Sequence, residues 1–188
     1  KGKGMFAYGG LRMGGEAFYG VDITDKASPK VLFTVTPEGL NNIKSNNFTR
    51  LGQIWSKPTA AKIRRTKDAE PINVLIFGGG NAIYMVNADD GTLIWSASGS
   101  SVDTETADMI HSITGEITAL DRDNDGLVDH IYAADLGGQI FRADFENARP
   151  AKFGFEAINK FSSKGITRIL DSKPSGKPAY RFYERPIV

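Results

Sequence analysis

The sequence contains no cysteine, so neither a disulfide framework nor a thiolate metal site is open to it. That lack leaves the redox compartment undetermined, because secretion does not require disulfides. Histidine is nearly absent as well. His111 and His130 are far apart and have no cysteine beside them, so they form no nucleophile–base pair and read as surface or packing residues. No catalytic constellation emerges elsewhere, and the chain does not read as an enzyme. An excess of one charge is missing too: 23 basic residues stand against 22 acidic ones. This argues against nucleic-acid binding by bulk electrostatics, and Arg64-Arg65 is too short a basic run to reverse that; it reads as a solvated turn. No run approaches the roughly 20 apolar residues of a transmembrane segment. Lys1-Gly2-Lys3-Gly4-Met5 is not followed by a signal-like apolar core, and the chain reads as an internal piece of something longer. The periodicity of a long amphipathic helix is also lacking.

What the chain does have is glycine, 21 residues of it, and short apolar runs bounded by polar turns. The expectation is an all-β protein. Three segments superimpose: Ala17 to Asp25, Ala82 to Gly91 and Gln139 to Asn147, each a strand ending in an Asp- or Asn-bearing turn. The first two continue into a second strand, Lys30 to Val35 and Thr92 to Ala97, and Ala151 to Phe155 is the candidate for the third. Upstream, Lys57 to Ile63 and Ile72 to Gly78 correspond to Glu116 to Leu120 and His130 to Asp135. Each complete unit is then four antiparallel strands, the composition of a β-propeller blade. An antiparallel sandwich is the competing architecture. Two to four blades fit this length, fewer than close a ring, so the expected fold is a modified and incomplete propeller over residues 1–188. Trp55, Trp95 and the other aromatics are expected to fill the blade interfaces. Gly78-Gly79-Gly80 lacks the Lys-Ser/Thr of a phosphate loop and reads as a strand terminus. The junctions Gly78 to Asn81 and Ser98 to Ser101 are abrupt, as if loops were missing there.

The segment most specific for function is Asp121-Arg122-Asp123-Asn124-Asp125-Gly126-Leu127-Val128-Asp129. Ca²⁺ takes six to eight oxygen ligands at roughly 2.3–2.6 Å, which a loop supplies from positions 1, 3, 5, 7 and 9. Here those are Asp121, Asp123, Asp125, the carbonyl of Leu127, and Asp129, directly or through water. Gly126 permits the sharp turn. Four aspartates in nine residues repel one another unless a cation lies between them. Position 12 is Tyr132 rather than a bidentate glutamate, and the flanks, Ile117 to Leu120 and His130 to Ala134, are rich in β-formers. The loop is therefore a strand-to-strand calcium site and not an EF-hand. In the preceding unit Arg64 to Asp68 occupies the matching place.

Leu51 to Thr59, Gly91 to Trp95 and above all Asp121 to Asp129 running into Tyr132 to Asp144 resemble the C-terminal domain of the PilY-type proteins of bacterial type IV pili. The resemblance extends from about Glu16 to Arg185-Pro186 and is weakest near 98–112 and 150–175. It implies a modified β-propeller at the C-terminal end of a large secreted protein, on the cell surface at the pilus tip after transit of the periplasm and outer membrane. It further implies association with minor pilins, support of pilus assembly, and calcium-coupled extension and retraction. The family's loop ligands map onto the five residues named above. Adhesion to host or other surfaces would belong to an N-terminal region outside this sequence. Two alternatives share the blade pattern: a quinoprotein enzyme binding pyrroloquinoline quinone, and an integrin-like propeller with calcium staples. A cage made by one contiguous loop leaves few coordination positions for a cofactor or substrate, which disfavours the enzyme.

Overall fold

The computed structural model describes residues 4–100, 102–152, 154–173 and 178–188. Its strands, in chain order, are β1 (Phe6–Gly10), β2 (Phe18–Asp22), β3 (Lys30–Thr36), β4 (Gly39–Leu40), β5 (Ile43–Lys44), β6 (Thr59–Ile63), β7 (Ile72–Gly79), β8 (Ala82–Asn87), β9 (Leu93–Ser98), β10 (Thr104–Glu105), β11 (Thr118–Leu120), β12 (His130–Ala134), β13 (Gln139–Glu146) and β14 (Ser162–Asp171). Two single 3-10 turns, Arg12–Gly14 and Asn46–Phe48, interrupt them. Among the described residues no helix is long and apolar enough to cross a membrane.

The strands form three sheets in sequence order, β1-β2-β3-β4-β5, β6-β7-β8-β9-β10 and β11-β12-β13-β14. All pairings are antiparallel except that of β10, which runs parallel to β9. A sandwich has two such layers; here the second sheet is covered on both faces. Successive side chains of a strand point to opposite faces. Accordingly Val74 and Ile76 join the core shared with the third sheet, while Leu75 and Phe77 join the core shared with the first. The unbroken apolar run of β7 follows from this double burial. β13, by contrast, alternates: Gln139, Phe141, Ala143 and Phe145 are buried and the residues between them half-buried. Sheets stacked in chain order, each a four-stranded antiparallel unit at heart, are the blades of a propeller that does not close within this chain.

A repeated contact ties blade to blade. Thr59, the first residue of β6, donates its hydroxyl to the Ile117 carbonyl at 2.5 Å, and Thr118, the first of β11, donates to the Pro186 carbonyl. Pro186-Ile187 thus stands to the third sheet as Ile117-Thr118 stands to the second.

Gly78 to Asn81 proves to be a closed connection, because Gly79 pairs with Ala82 and only Gly80-Asn81 turn the chain. Gly80 has φ +60°, the left-handed first position favoured in a tight hairpin. The preceding glycines are there for room: a Cβ on Gly78 would lie 2.4 Å from the Ile113 carbonyl oxygen, and one on Gly79 would lie 2.6 Å from Leu51. The segments leading into the second and third blades both cross this turn. Gly78→Ala is therefore expected to destabilise the chain by about 1–3 kcal/mol, the usual cost of overpacking, measured as a lowered urea midpoint with an unchanged slope.

Three expectations need correction or a boundary. The partner of β13 is β14, Ser162–Asp171, and not the 151–155 segment, in which Lys152 and Phe155 bridge each other; Phe153 lies outside the described residues. Trp95 is buried and meets Phe145 edge-on at 4.9 Å, but Trp55 is partly exposed beneath the Arg12 guanidinium and fills no interface. At the 98–101 junction β9 ends at Ser98, and Ser101 lies outside the described residues.

Candidate metal centre

β11 and β12 pair through Thr118 with Tyr132, Ala119 with Ile131 and Leu120 with His130. The last pair closes the loop from Asp121 to Asp129, and the Asp129 amide donates back to the Leu120 carbonyl at 2.9 Å. Inside the loop the chain passes through the left-handed region twice, at Asn124 (φ +61°) and Gly126 (φ +87°). Asparagine and glycine are the residues that adopt this conformation most readily.

These bends turn backbone amides onto carboxylates. Asp121 accepts from the Gly126 amide at 2.7 Å and the Asp125 amide at 3.2 Å; Asp125 accepts from the Leu127 amide at 2.8 Å; and Asp129 accepts from the Arg122 amide at 2.8 Å. The bonds fold the loop around its own acidic groups. Oxygens of Asp121, Asp123 and Asp129 all lie within 4.8 Å of one another. Two ligands on opposite sides of one calcium ion are separated by at most about 5 Å, twice the bond length, so the three can share an ion. An all-oxygen donor set suits a hard divalent cation.

Asp125 stands outside that trio, its oxygen engaged by the Leu127 amide. Its carboxyl is held above the usual range by partial burial, opposed by the Leu127 hydrogen bond and reinforced by the charges of Asp123, Asp121 and Asp129. Such mutual repulsion is what a bound cation relieves. Leu127 is buried, and its amide, not its carbonyl, makes the contact to Asp125. Of the five residues expected from the sequence, the fold thus gathers three carboxylates, with Asp125 and Leu127 adjoining them in the same loop. The residues fit a metal ion.

Neighbours that the sequence did not reveal complete the surroundings. His130, 8% exposed in its side chain, faces Asp144 across the β12–β13 pair, with Nδ1 at 2.6 Å from the carboxylate. Arg142, two residues earlier on the same face of β13, donates its Nε to Asp144 at 2.7 Å. His130, Arg142 and Asp144 border an open cavity of about 370 Å³ beside Asp123 and Asp129. His130 is accordingly a packed residue in hydrogen-bond contact with Asp144, while His111 is exposed. The only available signal for the pair was their register, which required knowing where β12 and β13 begin. Asn147 also belongs here: it is buried at the end of β13 and donates to the Val128 carbonyl at 2.9 Å.

Known proteins resemble this chain in sequence and in fold. The PilY1 beta-propeller domain family matches residues 1–163. A type IV pilus biogenesis factor PilY1 homolog of Xylella fastidiosa is 27% identical over 96% of the chain, and the PilY1 biogenesis factor of Pseudomonas aeruginosa strain PAO1 is 29% identical over 72%. The chain spans 12% and 11% of the lengths of these two proteins. Among solved structures, the Pseudomonas aeruginosa PilY1 C-terminal domain matches with a TM-score of 0.54 at 23% identity, over 74% of this chain and 26% of that one, a likeness of fold. These relatives carry the names of pilus biogenesis factors, not of enzymes. Three sequential blades, an acidic loop between two strands of the third, and a family match over most of its length place the chain in the PilY1 β-propeller domain family.

Proposed function

We propose that this chain is a calcium-binding propeller segment, residues 1–188, from the C-terminal domain of a type IV pilus biogenesis factor. Calcium held at 121–129 by Asp121, Asp123, Asp125, the Leu127 carbonyl and Asp129 biases pilus extension against retraction. The observation carrying this reading is the convergence of Asp121, Asp123 and Asp129 within a loop whose backbone conformation is set by Asn124 and Gly126. The setting proposed with it is an extracellular position at the pilus tip, contact with minor pilins, and an adhesive region elsewhere in the full protein; membership of the PilY1 β-propeller domain family supports this reading. Without the ion, repulsion among the four aspartates loosens the β11–β12 pair. With it, the loop and the sheet edge order together, and the state competent for assembly gains by the difference in its calcium affinity.

Calorimetric titration of the chain with calcium is the direct test. One ion is expected to bind, and Asp123→Ala is expected to weaken it by at least about tenfold, since even residues that merely orient ligands are commonly worth that much. A wild type that gives no calcium-dependent heat sinks the metal reading. A strain whose pilus protein carries Asp123→Ala and still extends and retracts normally sinks the coupling to pilus dynamics while leaving the metal site intact.

A further inference from the structure

The calcium loop lies on the third blade, but its exit is held by the second. Leu127 and Asp129, two of the proposed ligands, flank Val128. The Val128 amide donates to the Lys62 carbonyl of β6 at 2.9 Å. All peptide bonds here are trans, so the Leu127 carbonyl and the Val128 amide share one plane and point in opposite directions. The bond to Lys62 therefore sets the rotation of the plane that carries the Leu127 oxygen. On the other side of Val128, its carbonyl accepts from the Asn147 side chain at 2.9 Å, and the Asn147 oxygen accepts from the Arg64 amide at 3.0 Å. Asn147 is 9% exposed, and its side-chain amide joins two blades through residues 83 apart in sequence. The Ala148 amide returns to the Arg64 carbonyl at 3.1 Å, and the Phe161 amide to that of Arg65 at 2.9 Å.

The geometry points to Asn147 as a positioning residue that couples calcium occupancy to the seam between the second and third blades. The inference rests on the calcium reading above and extends it. In the unliganded loop the repelling aspartates pull against the Val128 clamp; ligation of the Leu127 carbonyl and of Asp129 fixes the planes on both sides of Val128. Those same planes carry the bonds to Lys62 and Asn147, so an ion that orders the loop also tightens the seam. Coupling of this kind is reciprocal: a seam held by Asn147 raises calcium affinity by the same factor. The basic turn Arg64 to Asp68 thereby acquires a role, since the Arg64 amide holds the asparagine side chain that braces the calcium loop of the next blade.

Amide hydrogen exchange with and without calcium, read alongside calorimetry on the 188-residue chain, tests this. In the wild type, calcium is expected to slow exchange at Gly126 within the loop and at Val128 and Arg64 in the seam. In Asn147→Ala, Gly126 remains protected by calcium, Arg64 loses its calcium-dependent protection, and calcium affinity falls about tenfold, within the range usual for coupled sites. Asn147→Asp keeps the acceptor for Arg64 but loses the donor to Val128, and is expected to weaken calcium in the same direction. Calcium heat accompanied by unchanged exchange at Val128 and Arg64 in the wild type overturns the coupling alone, and does so even if the variants fail to fold. Variants that lose stability while keeping wild-type affinity overturn it as well. No calcium heat in the wild type removes the calcium reading and this inference together.

Discussion

Phe77→Ala is expected to lower the unfolding free energy by about 3–5 kcal/mol, the usual cost of truncating a fully buried aromatic residue. Phe77 is completely buried on the face of β7 turned toward the first blade. Its ring stacks on Phe18 of β2, centroids 4.0 Å apart and planes inclined by 16°, and lies 5.8 Å from Tyr84, its cross-strand partner in β8. Contacts of this kind add about 0.5–1.5 kcal/mol to the burial itself. Relaxation of the surroundings is limited, because Gly78 and Gly79 immediately follow and are pinned by Ile113 and Leu51. For a chain of this size each kcal/mol corresponds to about 2–4 °C in melting temperature, so the variant should melt on the order of 10 °C lower. The fall should also leave calcium affinity unchanged, since the acidic loop lies in the third blade and Phe77 faces the first. A loss below about 1 kcal/mol would mean that the first and second blades are not packed as described.

Much of this architecture was legible in the sequence because propeller blades are local. Val74 to Phe77 and Ile83 to Val86 announce buried strands, and the Gly80-Asn81 turn joins them without an intervening element. The acidic loop was legible for the same reason: its candidate ligands are contiguous, and the spacing of aspartate and glycine encodes the bend as well as the charge. The strand opposite β13 was misplaced because an excursion separates Glu146 from its partner Ser162 where a short hairpin was expected. That excursion reaches back to the second blade through the pairing of Thr66 with Lys160. β14 itself, Ser-Ser-Lys-Gly-Ile-Thr-Arg-Ile-Leu-Asp, lacks a buried alternating face, with Lys164 and residues 167 onward mostly exposed. β1 was not anticipated because Gly9 and Gly10 weaken it as a strand; Gly10 is needed where a Cβ would strike Ile54. Asn147 and Arg64 could not be paired from sequence at all, for nothing local distinguishes a buried asparagine bridging two blades from one ending a strand. Sequence spacing thus exposes sites built within one loop and conceals those built across a seam.

Calcium is expected to raise the melting temperature of the chain, and the rise should grow with pH. An ion that binds only the folded state stabilises it by about 2.7 kcal/mol when present at a hundred times its dissociation constant. That corresponds to roughly 5–10 °C for a domain of this size. The pH dependence follows from Asp125. In the absence of metal its carboxyl is held above the usual range, by burial first and then by the charges of Asp123, Asp121 and Asp129. The folded chain therefore keeps this proton at pH values where the unfolded chain has lost it. By linkage, its contribution to stability in chelator falls as pH rises from the ordinary aspartate range toward the raised folded value, because the native state binds the proton more tightly. Calcium reverses this: ligation requires the ionised carboxylate, so protons compete with the ion at low pH and release it as pH falls. The gap between melting temperatures in calcium and in chelator should accordingly widen as pH rises from the ordinary aspartate range through the raised range of Asp125, and then level off. Asp125→Asn removes the proton from that competition and should flatten the dependence while lowering affinity. A gap that is constant across the range in the wild type would show that the ion is not held by the carboxylates of this loop.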